Sequence, residues 1–362
     1  MDPRTVLDRL TARGRRRLAL HDASRPGPWH VDRDGWVGKI RYYAVGPATA
    51  DTTVVFIHGF TLEAQGYYLQ TEYLREHHPG VQSLLMDLRG HGETGAFPPE
   101  ECTVDGLADD ALAVIERHAP TGNLIIVGHS LGGMAAFNLV RRATQLRDRI
   151  AGLVIVAASI EPLSSQGIPQ ILALPAAQAV YDAVEAAPEE ADEFREAVTS
   201  VIAPGLAVGV FRRPIDYDLI QFHAAMINNT PLETFVGFFD DLQQHTEVHA
   251  AAALEGIPGY VIDGELDAVT PDEQADRIME LWPDAYRQTA PHTAHDSTEF
   301  PRDGQHRYFA VNYAGIKGCP PKNSTGTTGG LELRQTLGHP TCTSSRLPVP
   351  RKYPARLHGP GP

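Results

Sequence analysis

Residues 124–134 read LIIVGHSLGGM. The apolar, strand-forming run Leu124–Val127 stops at Gly128, Ser130 is held between Gly128 and Gly132, and a small-residue run then opens a helix. A serine on a sharp turn between a buried strand and a helix needs glycine on both sides. Neighbouring backbone approaches closely there, and the turn takes φ values that a Cβ resists. Such a turn exposes Ser130 Oγ and aims the helix N-terminus at the charge that forms during acyl transfer. A bare G-x-S-x-G is weak evidence in a chain with 33 glycines. The preceding strand, the Gly132-Gly133 pair and the helix MAAFNLVRRA that follows supply the context that makes it a nucleophile elbow.

Upstream, residues 53–60 read TVVFIHGF, a second buried strand that delivers His58, Gly59 and Phe60 onto a loop. His58 reads as structural, fixing the loop through its ring, because the strand end and the glycine explain it without chemistry. Downstream, residues 260–271 read YVIDGELDAVTP, a strand followed by a loop with Asp263, Glu265 and Asp267 as candidate acids. Asp263 belongs to the strand end and Glu265 to the tight turn after Gly264, so Asp267 has the best reach. The bland alternative is a solvated loop acid capping a Pro-started helix. Some 28 residues after Asp267 comes APHTAH, where His295 is the first choice of base and His292 the second.

At this point the chain resembles the α/β-hydrolase superfamily, in particular capped bacterial serine esterases and lysophospholipase-like members. The matching stretches are HGF at 58–60, MDLRGHGET at 86–94, GHSLGG at 128–133 and GELDAVTP at 264–271, and together they span about residues 38 to 295. The resemblance implies an α/β fold with a mostly parallel central sheet, helices on both faces and an inserted helical cap. It implies Ser130 as nucleophile, His295 as base and Asp267 as orienter, with the backbone N–H groups of Phe60 and Leu131 as the oxyanion hole. Asp87, Arg89, Gly90, His91 and Gly92 resemble a loop that braces such sites from below. The superfold hosts many chemistries, so the substrate does not follow from it.

A serine hydroxyl is a poor nucleophile until an imidazole takes its proton, and the imidazolium needs a buried carboxylate to hold its tautomer and charge. The leading expectation is hydrolysis of a carboxylic ester of a moderately hydrophobic small molecule through an acyl-enzyme, without cofactor or metal. Thioester, lactone, perhydrolytic and carbon-carbon hydrolysis are close variants. The second class is a non-catalytic hydrolase-like binder, or a product inactivated by an altered C-terminus. Dehalogenases and epoxide hydrolases of this fold use an Asp nucleophile, which Ser130 argues against. Dinucleotide binding would need a Gly-rich turn after the first strand, and HGFTLE is not one.

The 362 residues, 42% of them hydrophobic, can bury a full core. A net charge of −14 disfavours nucleic acid as a partner. The basic RGRRR at 13–17 is followed by LALHDASRPGP, too short and polar for a signal-peptide core, and no stretch approaches a membrane span. Of three cysteines, Cys102 is alone in the body of the fold, which suits a reducing cytoplasm and no disulfide framework.

The expected organisation is an N-terminal helical arm at 1–29, a core at 30–158 and 254–295, a helical cap at 159–253 and a tail at 296–362. Strands are predicted near 39–45, 53–57, 82–86, 124–127, 153–157, 259–263 and 285–289. The cap segment has apolar residues at helical spacing. Its Phe222, Met226, Phe235, Phe238 and Phe239 read as cap core in preference to an acyl pocket. His245 and His249 stand four apart, but no third ligand accompanies them, and they read as a polar helix face.

From about Lys317 the tail has one acid against seven Lys and Arg and two of the three cysteines, a composition that predicts disorder. The family follows its catalytic histidine with a proline-containing turn and a final amphipathic helix, and DSTEFPRDGQHRYFAVNYAG at 296–315 is no such helix. Read from the second base of the His295 codon, the codons permitted by HDSTEFPRDGQHRYFAV can spell MIPLNSPEMVNTAISQ. A His precedes that string if Ala294 is GCA and His295 is CAT. It has the expected turn, helix start and apolar spacing, so residues from about 294 onward read as out of frame, through a natural frameshift or a sequence error.

Overall fold

A computed structural model describes residues 27–163, 222–223, 225–227, 229–291 and 293–295. Residues 1–26 of the expected arm at 1–29, the whole of 164–221, His292 and the tail from 296 lie outside the described residues, as does the side chain of Phe239.

Eight strands form one sheet in the order β1-β2-β4-β3-β5-β6-β7-β8. They are β1 Arg33–Val37, β2 Ile40–Val45, β3 Thr52–Ile57, β4 Gln82–Met86, β5 Asn123–His129, β6 Ile150–Val156, β7 Gly259–Gly264 and β8 Tyr286–Ala290. The pairs β1–β2 and β2–β4 are antiparallel, and every pair from β4 through β8 is parallel. The side-chain period of two divides the core between the two faces of the sheet. Val55 and Ile57 of β3 point into one buried cluster with Ile126, Leu107 and Phe137. Val54 and Phe56 point into another with Val127, Val154 and Ile262.

Helices α1 Tyr68–His77, α2 Val104–His118, α3 Leu131–Arg142, α4 Leu232–Gln244 and α5 Asp272–Leu281 connect or cover the strands. Helix α2 begins at Val104 because the Thr103 side chain accepts a hydrogen bond from Gly106 N at 3.1 Å, satisfying one free N–H of the first turn. Helix α4 lies in the segment between β6 and β7, and it is tied to the core at three points. Thr234 Oγ1 donates to Gly90 O at 2.7 Å, Val104 N donates to Asp241 Oδ2 at 2.7 Å, and Gly237 sits against Pro99 and Cys102.

Strand β1 was not among the sequence-predicted strands. Its residues RDGWV are polar or half-exposed, with the burial of an edge strand, so hydropathy alone does not mark it. The signal that could have found it is the two-residue turn Gly38-Lys39, with Gly38 at φ +61, which closes a hairpin on Val37 and Ile40. Strand β5 continues through Gly128 to His129, two residues past its predicted end, because both still pair with β6. His245 and His249 do not share a helix face. His245 caps the end of α4 and His249 falls in a separate short turn, Val248–Ala250.

Candidate active site

The parallel strands deliver their C-terminal ends to one edge of the sheet, and the candidate residues gather there. Strand β5 ends at His129, and Ser130, with φ 52 and ψ −119, follows it and caps α3. That backbone is a strained, left-handed one for a residue with a Cβ. It persists because the elbow leaves no alternative: a Cβ on Gly128 would lie 2.4 Å from Gly132 O and 2.7 Å from Gly133 Cα. Ser130 N donates to Val156 O at 2.9 Å, which fixes the turn to β6.

Asp267 and His295 follow the neighbouring strands β7 and β8, and the two loops are laced together. Glu265 N donates to Ala290 O at 3.0 Å and Leu266 N to Thr293 O at 2.8 Å. His129 Nε2 donates to His295 O at 3.2 Å, anchoring the histidine backbone against the elbow. The result is one line of hydrogen bonds. Ser130 Oγ lies 2.9 Å from His295 Nε2, and His295 Nδ1 lies 2.9 Å from Asp267 Oδ2. Both Asp267 and His295 are buried. Burial alone would raise the Asp267 pKa, but the charge and hydrogen bond of His295, together with the Thr270 donors, hold it below the ordinary aspartate value.

The other two candidate acids are engaged elsewhere or exposed. Asp263 is buried and accepts from Arg287 at 2.9 and 3.1 Å, while Glu265 is exposed.

The loop after β3 reaches the same place from the other side. A Cβ on Gly132 would lie 2.2 Å from Ile57 O and 2.5 Å from His58 O, so the first turn of α3 touches that loop. A Cβ on Gly59 would lie 3.2 Å from Ser130 Cβ, so the loop that carries Phe60 abuts the serine turn, which Leu131 directly follows. His58 Nδ1 donates to Gly59 O at 2.8 Å, and Leu88 N donates to His58 Nε2 at 3.0 Å. Its ring therefore bridges two loops as a neutral imidazole, and burial holds its pKa well below 6.5.

Asp87 accepts from Ala64 N at 2.8 Å, Glu93 N at 2.9 Å and Tyr43 Oη at 2.9 Å, bracing the loops from beneath. Arg89 forms a bidentate pair with Asp110 at 2.7 and 2.9 Å. The Phe60 ring packs edge-on against Phe235 of α4 at 5.1 Å between centroids, and Leu62 is buried with Tyr68, Phe222 and Met226. Residues of the segment between β6 and β7 thus pack against the loop at Phe60 and at Leu62. Two residues that bear on the site escaped the sequence reading: Thr270, beside Asp267, and Thr234, whose hydroxyl holds α4 to Gly90.

Among the described residues, Asp105, His245 and Glu247 offer ligand atoms within 4.8 Å of one another. They are occupied by protein donors: Asn138 Nδ2 donates to Asp105 and to Glu247 at 2.6 Å, and Arg141 Nε to Glu247 at 2.8 Å. Donors converging on these oxygens form a polar bracket between α3 and the chain leaving α4.

A parallel sheet that carries a serine on a strand-to-helix turn, with a histidine and an acid on the two following loops, defines the α/β-hydrolase class. Residues 54–307 match the alpha/beta hydrolase family, and the chain belongs to it. It is 30% identical to the lipase LipV of Mycobacterium tuberculosis over 42% of this chain and 52% of that protein. It is 32% identical to a multifunctional-autoprocessing repeats-in-toxin protein of Vibrio vulnificus over 30% of this chain and 2% of the toxin. The chain thus spans about half, or far less, of the length of these curated relatives. The esterase RhEst1 of Rhodococcus sp. ECU1013 shares the fold with a TM-score of 0.60 at 20% identity, covering 77% of this chain and 94% of that one. Among the described residues no helix is long and apolar enough to cross a membrane.

Proposed function

We propose that this α/β hydrolase is a serine hydrolase that cleaves a carboxylic ester of a moderately hydrophobic small molecule through an acyl-enzyme. The observation that carries the reading is the unbroken line from Ser130 Oγ through His295 to Asp267, both contacts at 2.9 Å. His295 Nε2 takes the Ser130 proton as Oγ attacks the carbonyl carbon. The Nδ1–H stays on the ring and is donated to Asp267, which holds the tautomer that leaves Nε2 free to accept. The N–H groups of Phe60 and Leu131 receive the oxyanion of the tetrahedral intermediate. As that intermediate collapses, the imidazolium returns its proton to the leaving alcohol. A water then repeats the sequence on the acyl-enzyme and releases the acid and Ser130.

Residues 159–253 form a cap in this reading. Its described part supports the assignment by packing Phe235 against Phe60 and Phe222 and Met226 against Leu62.

Hydrolysis of p-nitrophenyl esters of graded acyl length and covalent labelling by a fluorophosphonate test the proposal. Ser130→Ala is expected to remove labelling and lower the hydrolysis rate by several orders of magnitude while the protein stays folded. Retention of more than about a tenth of the rate in that variant would sink the assignment.

A further inference from the structure

Asp267 is held by more than its histidine. Its Oδ1 accepts the backbone N–H of Val269 at 2.8 Å and of Thr270 at 2.9 Å. Its Oδ2 accepts the Thr270 hydroxyl at 2.8 Å besides the imidazole N–H at 2.9 Å. The same hydroxyl oxygen lies 3.3 Å from His295 Nδ1. Thr270 Oγ1 has one proton, and its donation to Oδ2 leaves lone pairs facing the ring. The Nδ1–H therefore meets two acceptors, and the hydroxyl dipole points its positive end at the carboxylate and its negative end at the ring. Thr270 is only 3% exposed, so solvent cannot take over either contact.

The backbone donors fix only one carboxylate oxygen. One soft torsion governs both oxygens of an aspartate, and on the Oδ2 side the Thr270 hydroxyl is the donor that resists turning of the carboxylate with the imidazole.

We propose that Thr270 is a positioning residue, its hydroxyl locking the Asp267 carboxylate and the His295 ring into the one arrangement that aims Nε2 at Ser130. The inference rests on the reading of Ser130, His295 and Asp267 as the reacting set.

Thr270→Val removes the hydroxyl while keeping the shape, Thr270→Ala removes it without filling the space, and Thr270→Ser keeps it. Each is measured for kcat and KM on p-nitrophenyl butyrate, for the rate of inactivation by a fluorophosphonate, and for its melting temperature. Thr270→Val and Thr270→Ala are expected to lower kcat and the inactivation rate about tenfold or more with KM little changed, as loss of a hydrogen bond to a charged group implies. Thr270→Ser is expected to recover most of both rates despite losing a buried methyl. A merely structural threonine would instead make rates follow melting temperature, with Ser no better than Val. Full rates in Thr270→Val, or a serine variant as slow as the valine one, overturn the inference while leaving the hydrolase reading intact. A wild-type protein that a fluorophosphonate does not label at Ser130 overturns the reading itself, and the inference with it.

Discussion

Lowering the pH should loosen the core beneath the site, and His91 allows the effect to be sized. The ring is fully buried, its Nδ1 donates to Arg89 O at 2.9 Å, and its remaining edges face His58, Phe60 and Phe238. Burial lowers its pKa from 6.5 to about 4, against a small opposing contribution from the Arg89 carbonyl. The unfolded chain therefore binds a proton at this position at a pH where the folded protein does not. Stability from this group is complete above about pH 6.5 and is lost as pH falls toward 4. A difference of about 2.5 pH units corresponds to about 3 kcal/mol in full, of which about 2 kcal/mol is gone at pH 5. For a domain of this size that is a fall of roughly 4–8 °C in melting temperature. His58, with its pKa also lowered by burial, acts in the same direction.

Calorimetry at pH 8 and pH 5 on the wild type and on His91→Asn, whose amide keeps a donor for Arg89 O and does not titrate, isolates the contribution of His91. The variant starts from a lower melting temperature at pH 8 because the smaller side chain leaves a void. Its loss between the two pH values should be smaller than that of the wild type by several degrees, the carboxylates contributing equally to both. Equal losses in the two proteins would refute the assignment of this pH dependence to His91.

Three further outcomes are expected. Asp267→Asn should lower kcat about a thousandfold or more by leaving His295 in the wrong tautomer, whereas Glu265→Gln, at an exposed position, should leave the rate nearly unchanged; steady-state kinetics of the pair decides. Gly237→Ala would place a Cβ 2.3 Å from Pro99 O and 2.6 Å from Cys102 Cβ, so α4 must shift or the variant must lose about 1–3 kcal/mol, read as a lower denaturation midpoint. A chain whose frame is restored after residue 294 should melt higher than the chain as written, because a final helix covering a few hundred Å² of sheet at about 25 cal/mol per Å² contributes several kcal/mol. Resequencing codons 285 to 320 tests the frame directly, and a clean read in the present frame with a tail from 296 onward that resists proteolysis as a packed unit would refute it.

The elbow, the strands around it and the candidate residues were legible in the sequence because each carries a local signal. An apolar run such as LIIV bounded by glycine reads as a strand buried on both faces, and there is no room for a Cβ at Gly128, against the start of α3, or at Gly132, against the end of β3 and its loop. The choice of Asp267 over Asp263 and Glu265 was also local, a matter of where the strand ends. What lay beyond the sequence is everything that depends on which strands are neighbours. His295 stands 28 residues from Asp267 and 165 from Ser130, and only the order β5-β6-β7-β8 makes the three adjacent. The approach of the Thr270 hydroxyl to His295 and the packing of Phe235 on Phe60 likewise arise between segments distant in sequence. A polar, half-exposed edge strand such as β1 acquires its structure from pairing with β2, and no apolar pattern announces it. Local sequence determines conformations that local sterics and burial enforce, whereas the chemistry of this site rests on long-range strand order, which the packing of the whole sheet decides.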